Sequence, residues 1–171
     1  EMMLILLIFV LLFLKLASAH VSNTTVMQVA NAGLLATLAI GFLNADPGQL
    51  FGQMFRTNNL LRLEKNILTI GTLIISLQSY QWIKAHKHAL EFYVLMISTL
   101  LGMFFMLSSA NLLMLYIGLE LSTLPLAALV NFDLHIKQSS EAAFKMIVNS
   151  AFASGLLLFG ISWLYGTTGT V

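Results

Sequence analysis

An all-α membrane protein with about six transmembrane helices is the fold class this sequence predicts. Three observations predict it. First, 58% of the 171 residues are hydrophobic and only 9% are charged, against about 25% charged in an ordinary soluble domain. Mean hydropathy is +0.90. So short a chain cannot enclose that much apolar surface, and the bilayer is its expected solvent. Second, the apolar residues fall into runs of roughly 20, the length that spans a hydrocarbon core of about 30 Å. Third, strand alternation is absent, so a β-barrel is not expected.

The elements follow in order. Segment one covers residues 2–16 and is short. "ASAH" (17–20) after it has the small-residue character of a leader cleavage site. Glu1 has the wrong sign for a leader's basic start, so a membrane helix is the favoured reading. Because the first residue is Glu1 and not Met, the sequence reads as a piece of a longer chain. Segment two, 25–43, is rich in small residues (Ala30, Ala32, Gly33, Ala36, Ala39, Gly41), which let helices approach closely in lipid. "NADPG" (44–48) is a turn signal. Segment three is 60–82, with Arg62, Glu64 and Lys65 near its outer end as a helix-end charge cluster. Segment four is 90–107, and "SSAN" (108–111) makes a tight turn. Segments five and six are 112–132 and 140–165. Tyr80, Trp82, Tyr93, Trp163 and Tyr165 read as an interfacial aromatic belt. The phenylalanines and methionines read as packing and lipid contact. No linker, low-complexity stretch or fixed-period repeat interrupts this plan.

With six spans, the loops after segments one, three and five share a side. That side holds Lys15, Lys84, Lys87 and Lys137, against Arg56, Arg62 and Lys65 opposite. The excess of positive charge marks the inner face, so both termini face out. A net charge of +1 argues against a nucleic-acid partner. With no cysteine, the chain offers no disulfide and no thiolate-held cluster of its own. His86 and His88 flank Lys87 with no third ligand, a poor metal site and a good solvated loop.

"YIGLELSTLP" (116–125) carries the central anomaly. Glu120 lies nine residues into segment five, about 13 Å along the helix axis, in the middle of an apolar run. A charge there costs at least ~2.5 kcal/mol, and such residues usually face a bundle interior or a water cavity. Burial disfavours its charged form and a nearby cation favours it, so the group suits loading and releasing a proton. The plainer reading is a neutral acid hydrogen-bonded to a neighbouring helix. Pro125 has no N–H, which frees the Leu121 carbonyl and opens the helix to water one turn beyond Glu120. Proline can also serve packing alone. Ser122 and Thr123 add small hydroxyls on the same turn.

Lys145 is the second anomaly. It lies about 8 Å into segment six and is followed by apolar or small residues, so it reads as partly within the membrane. A desolvated lysine can also exchange protons. The plainer readings are an i,i+4 pair with Glu141 and snorkelling to the interface. Glu120 lies about 18 Å from the shared end of the two helices and Lys145 about 8–9 Å. A direct contact is therefore not expected, and Asn149, one turn beyond Lys145, is placed to hold bridging water.

"GLELSTLP" (118–125), "SSEAAFK" (139–145) and their surroundings from residue 91 to 169 resemble the N subunits of the bacterial proton-translocating NADH:quinone oxidoreductase, respiratory complex I, counterparts of mitochondrial NADH dehydrogenase subunit 2. Over 1–90 the resemblance is topological only. It implies an enzyme subunit of the bacterial inner membrane, multi-pass, whose glutamate at the place of Glu120 pairs with a lysine of the seventh helix to drive proton translocation. Lys145 takes the place of a sixth-helix lysine on the path to the cytoplasm. It implies an outward amino terminus and an inward loop between helices five and six. The implied partners are the other membrane subunits of the complex, neighbouring antiporter-like subunits above all, and the lipid bilayer. No cofactor is expected in this chain, since NADH, flavin, iron–sulfur clusters and quinone are held by other subunits.

The sequence departs from that family in length. Its members have about fourteen helices in two inverted five-helix repeats. The expected division is therefore 1–89, accessory helices one to three, and 90–171, the truncated start of the first repeat. The seventh-helix lysine is missing, and the chain alone is not expected to pump. Two other functions fit the same residues: a subunit of a related cation/proton antiporter or membrane hydrogenase, and a non-catalytic membrane scaffold in which Glu120 and Lys145 only hold helices together.

Overall fold

The computed structural model describes residues 1–17, 22–43, 48–50 and 54–170. Among them are seven helices and one hairpin: α1 (Met2–Ala17), α2 (Asn23–Phe42), β1 (Gly48–Leu50), β2 (Phe55–Thr57), α3 (Asn59–Gln78), α4 (Tyr80–Ala85), α5 (Ala89–Ser108), α6 (Leu112–Val130) and α7 (Lys137–Thr168). Four helices, α2, α5, α6 and α7, are long and apolar enough to cross a membrane, and α1 is a shorter apolar helix. Early charges at Arg62, Glu64 and Lys65 lower the hydropathy of α3, which packs among the spans nonetheless. The all-α membrane fold is as expected.

α5 is the hub. It packs on α1, α2, α3 and, most extensively, α6. The core cluster draws its buried side chains from α1 (Leu4, Leu11), α2 (Met27, Leu34), α4 (Ile83) and α5 (Ile97, Leu100). The residue 89/90 boundary lies inside this cluster. α7 is the opposite case. Of its 32 residues only Ala143, Ser154 and Ile161 are buried, and its main neighbour is α6.

Contacts at the helix ends fix an alternating topology. At one end Lys15 pairs with Glu91, and the Asn23 amide donates to the carbonyls of Lys84 (3.2 Å) and His86 (2.8 Å). There the Phe132 ring stacks near His86 (4.7 Å between centroids), Phe92 (5.5 Å) and Trp82 (5.7 Å). This end gathers the connections after α1, α4 and α6, the side where the lysines were counted. At the other end Glu1 meets Lys65 of α3 and Ser108 of α5.

Four details differ from the sequence reading. Segment three is broken at Ser79, which ends α3 and starts α4. The "SSAN" turn is present: Asn111 caps α6, its Oδ1 accepting from the Met114 N–H at 2.8 Å. Against it docks an unforeseen antiparallel hairpin, Gly48 opposite Thr57, whose Phe55 bridges to Ser109. Strands of three residues are too short for alternation to show. Residues 44–47 of the "NADPG" turn and 18–20 of "ASAH" lie outside the described residues. Tyr93 is not a belt residue. It is fully buried, and its hydroxyl accepts from Ser76 at 3.2 Å. Nor is Lys65 a helix-end charge, because the bundle buries it to 9% exposure. Tyr80, Trp82, Trp163 and Tyr165 are exposed, as a belt requires.

Candidate functional site

The site grows from the α5–α6 contact. A Cβ added at Gly102 would sit 2.4 Å from the backbone nitrogen of Ser122. One added at Gly118 would sit 2.7 Å from the backbone nitrogen of Met106. Each glycine therefore lets one helix rest its backbone against the other, the close approach that small residues allow in lipid. Gly118 and Ser122 are i,i+4 on α6 and mark its α5-facing side. Glu120 lies between them in sequence, about 200° around the helix from each at roughly 100° per residue. The tight contact thus fixes the rotation of α6 and with it the side on which Glu120 stands.

Glu120 is the ninth of 19 residues in α6. Its Oε1 is buried and has no hydrogen-bond partner among the described residues. An orphaned buried carboxylate oxygen leaves a large desolvation cost uncompensated.

α6 runs unbroken through Pro125. The hydroxyls beside Glu120 are committed to their own helix: Ser122 and Thr123 both donate to the Leu119 carbonyl at 2.9 Å. Ser122 also donates weakly to the Met106 sulfur, 3.6 Å away, so it braces α5 against α6. This back-bonding is the usual fate of mid-helix Ser and Thr.

Lys145 donates to Glu141 at 2.6 Å, both side chains about two-thirds exposed. Asn149 is exposed on the same helix. The structure therefore joins Glu141 with Lys145 and does not join either to Glu120. His86 rests between Trp82 and Phe132, and His88 Nδ1 lies 3.6 Å from Glu91.

Sequence reading missed a second polar centre. Lys65 Nζ donates to Glu1 Oε1 and, at 2.5 Å, to Ser108 Oγ, and it stands 5.6 Å from the centre of the Phe104 ring. Ser108 donates to the same Glu1 oxygen at 3.1 Å. Burial pushes the Glu1 carboxyl up, but the Lys65 hydrogen bond and charge, with Ser108, outweigh it and hold it below its ordinary value. The available signal was spacing: Lys65, Thr69, Thr72 and Ser76 recur at i, i+4, i+7 and i+11, one face of a helix.

Residues 109–171, essentially α6 and α7, match the family described as NADH:quinone oxidoreductase/Mrp antiporter, transmembrane. NADH-quinone oxidoreductase subunit N of Phocaeicola vulgatus is 47% identical over 126 residues, 71% of this chain and 26% of that protein. Subunit N of Rhodospirillum rubrum is 36% identical over 174 residues, 99% of this chain and 36% of that protein. Among solved structures, a chain of respiratory complex I from Thermus thermophilus with bound aureothin matches with a TM-score of 0.84 and 25% identity, over 98% of this chain and 36% of that one. The chain thus spans about a quarter to a third of the relatives it matches. It is a multi-pass membrane protein, and it belongs to the NADH:quinone oxidoreductase/Mrp antiporter transmembrane family, in the branch of the NADH-quinone oxidoreductase N subunits.

Proposed function

We propose that this chain is part of a membrane subunit of the proton-translocating NADH:quinone oxidoreductase of the bacterial inner membrane, and that Glu120 is its proton-carrying group. The observation that carries this reading is the buried, unpartnered Glu120 oxygen midway along an otherwise apolar helix. A site left without a partner in this span is ready for one from elsewhere. Most of each relative lies outside the matched span, and the lysine that the family resemblance implies for the seventh helix would arrive over the bare side of α6 and α7. Lys145 then serves as the inner-side station of the same path, released from Glu141 when a proton passes between the inner face and Glu120, with Asn149 holding water one turn on. Pro125 keeps the backbone near Glu120 short of one hydrogen bond. The chain's division at 89/90, into accessory helices and the start of an antiporter-like repeat, belongs to this reading, as does assembly with the other membrane subunits. NADH, flavin, iron–sulfur clusters and quinone are assigned to those other subunits.

The family description also covers antiporters, so a cation/proton antiporter subunit is the second reading. It uses the same Glu120 but exchanges protons without electron transfer. The test is Glu120→Gln in the full-length subunit, assembled in closed vesicles, with NADH oxidation and proton uptake followed together. The proposal expects coupled pumping to fall by about 10²-fold or more, as for loss of a positioned proton-transfer group, with assembly intact. Normal pumping per electron would show the carboxyl to be helix glue.

A further inference from the structure

A second ionisable centre lies across the bundle from Glu120. Lys65 is about nine-tenths buried, held by Glu1, Ser108 and the Phe104 ring. Burying an ammonium and a carboxylate together is costly, and a hydrophobic pair of similar volume often serves stability as well or better. The pair is also not sealed. A cleft of about 200 Å³ opens beside it, lined by Glu1, Lys65, Thr37, Thr57, Arg62 and Asn66 among others. That is ample for several waters and offers them polar partners. From Lys65 inward, α3 presents buried Thr69 (1% exposed), half-buried Thr72 and buried Ser76 (0% exposed) along one face. The Thr69 and Thr72 hydroxyls donate to their own helix, which leaves their lone pairs as acceptors. Ser76 is joined to Asn31 at 2.5 Å and to Tyr93 at 3.2 Å, so the polar row ends in a buried network shared by α2, α3 and α5.

We propose that Lys65 is a second proton-exchanging site of the subunit, hydrated through this cleft and supplied along the hydroxyl row of α3; the inference rests on the proton-translocating reading above. In the step, the Lys65 ammonium gives one Nζ proton to the Glu1 carboxylate, leaving a neutral amine and a neutral acid. Glu1 releases that proton to cleft water, and a proton arriving along the row restores the ammonium. The net result is one proton in from the inner side and one out at the cleft.

The bland account makes Lys65 a fixed structural cation, and arginine separates the two. Arginine keeps the charge but does not deprotonate in proteins. The experiment puts Lys65→Arg, Lys65→Met and Glu120→Gln side by side in the assembled full-length complex in closed vesicles, reading protons pumped per NADH. The proposal expects both Lys65 variants to lose most of their pumping, arginine included, with the complex assembled. Normal pumping in Lys65→Arg overturns it. Thr37→Cys in the cleft can be tested with a water-soluble thiol reagent from the outer side, labelling of this subunit being read as the gain over the same complex without the substitution. Labelling supports a hydrated cleft, and failure to label overturns it. The failures are distinguishable: normal pumping in Glu120→Gln sinks the parent reading, whereas an impaired Glu120→Gln beside a normal Lys65→Arg sinks only the Lys65 site.

Discussion

Leu100 on α5 is 1% exposed and Leu156 on α7 is 58% exposed, although both stand mid-helix in apolar sequence. The helices α1 to α5 close around a shared core, while α7 leaves Phe144, Phe152 and Trp163 each about two-thirds bare. In water that contrast would mark α7 as an aggregation hazard. In lipid it costs nothing, because acyl chains are as apolar as leucine. What separates the two regions is therefore not hydrophobicity but the presence of features that only a partner helix can satisfy. The closed bundle has its polar groups paired: Lys65 with Glu1, Ser76 with Asn31 and Tyr93. Among the described residues, the open edge has one buried side-chain oxygen that is not, Glu120 Oε1.

The largest effect should come from cutting the core on one side and not the other. Leu100→Ala is expected to destabilise the folded chain by about 2–5 kcal/mol, whereas Leu156→Ala should stay within about 0.5 kcal/mol. Denaturant unfolding in detergent or bilayer measures both, and equal losses would erase the distinction between the regions. The seam between the regions comes next. Gly102→Ala drives a methyl into the Ser122 backbone and should cost about 1–3 kcal/mol through overpacking. Gly160 on α7 has nothing within 4 Å of an added Cβ, so Gly160→Ala should be neutral or slightly stabilising.

Charge pairs sharpen the comparison further. The Glu1 carboxyl is held below its ordinary value, so its contribution to stability is present above the usual carboxylate range and is lost as pH falls through the lowered value. Acidification in that window should destabilise the wild type and spare Glu1→Gln, as read by thermal unfolding against pH. The smallest effect belongs to Glu141→Gln, which breaks an exposed i,i+4 pair on α7 and should change stability by less than about 0.5 kcal/mol.

The same comparison explains what was legible beforehand. Length and hydropathy gave the helices, and the lysine count grouped the ends that Lys15, Glu91 and Phe132 now bring together. Glu120 was legible because a lone carboxylate in an apolar run is costly to place there and so stands out. Helix faces were not legible, because helices apolar all round carry no stripe that points inward. Hence Tyr93 was assigned to the surface belt. Lys65 is a different case: the polar spacing of α3 carried the signal, but Lys65 was grouped with its charged neighbours and not with the inward row it heads. Lys145 shows the converse: depth along the helix said membrane, but its rotation places it beside Glu141 on an exposed face.

The central claim is that Glu120 changes its protonation state during turnover. Infrared difference spectroscopy on the assembled full-length complex, oxidised against reduced by NADH, tests it directly. The account predicts a carboxylic-acid carbonyl band that appears in the wild type and is missing from Glu120→Gln. Identical difference spectra from the two proteins would contradict it, and would leave Glu120 as a permanently neutral or permanently charged member of the helix packing.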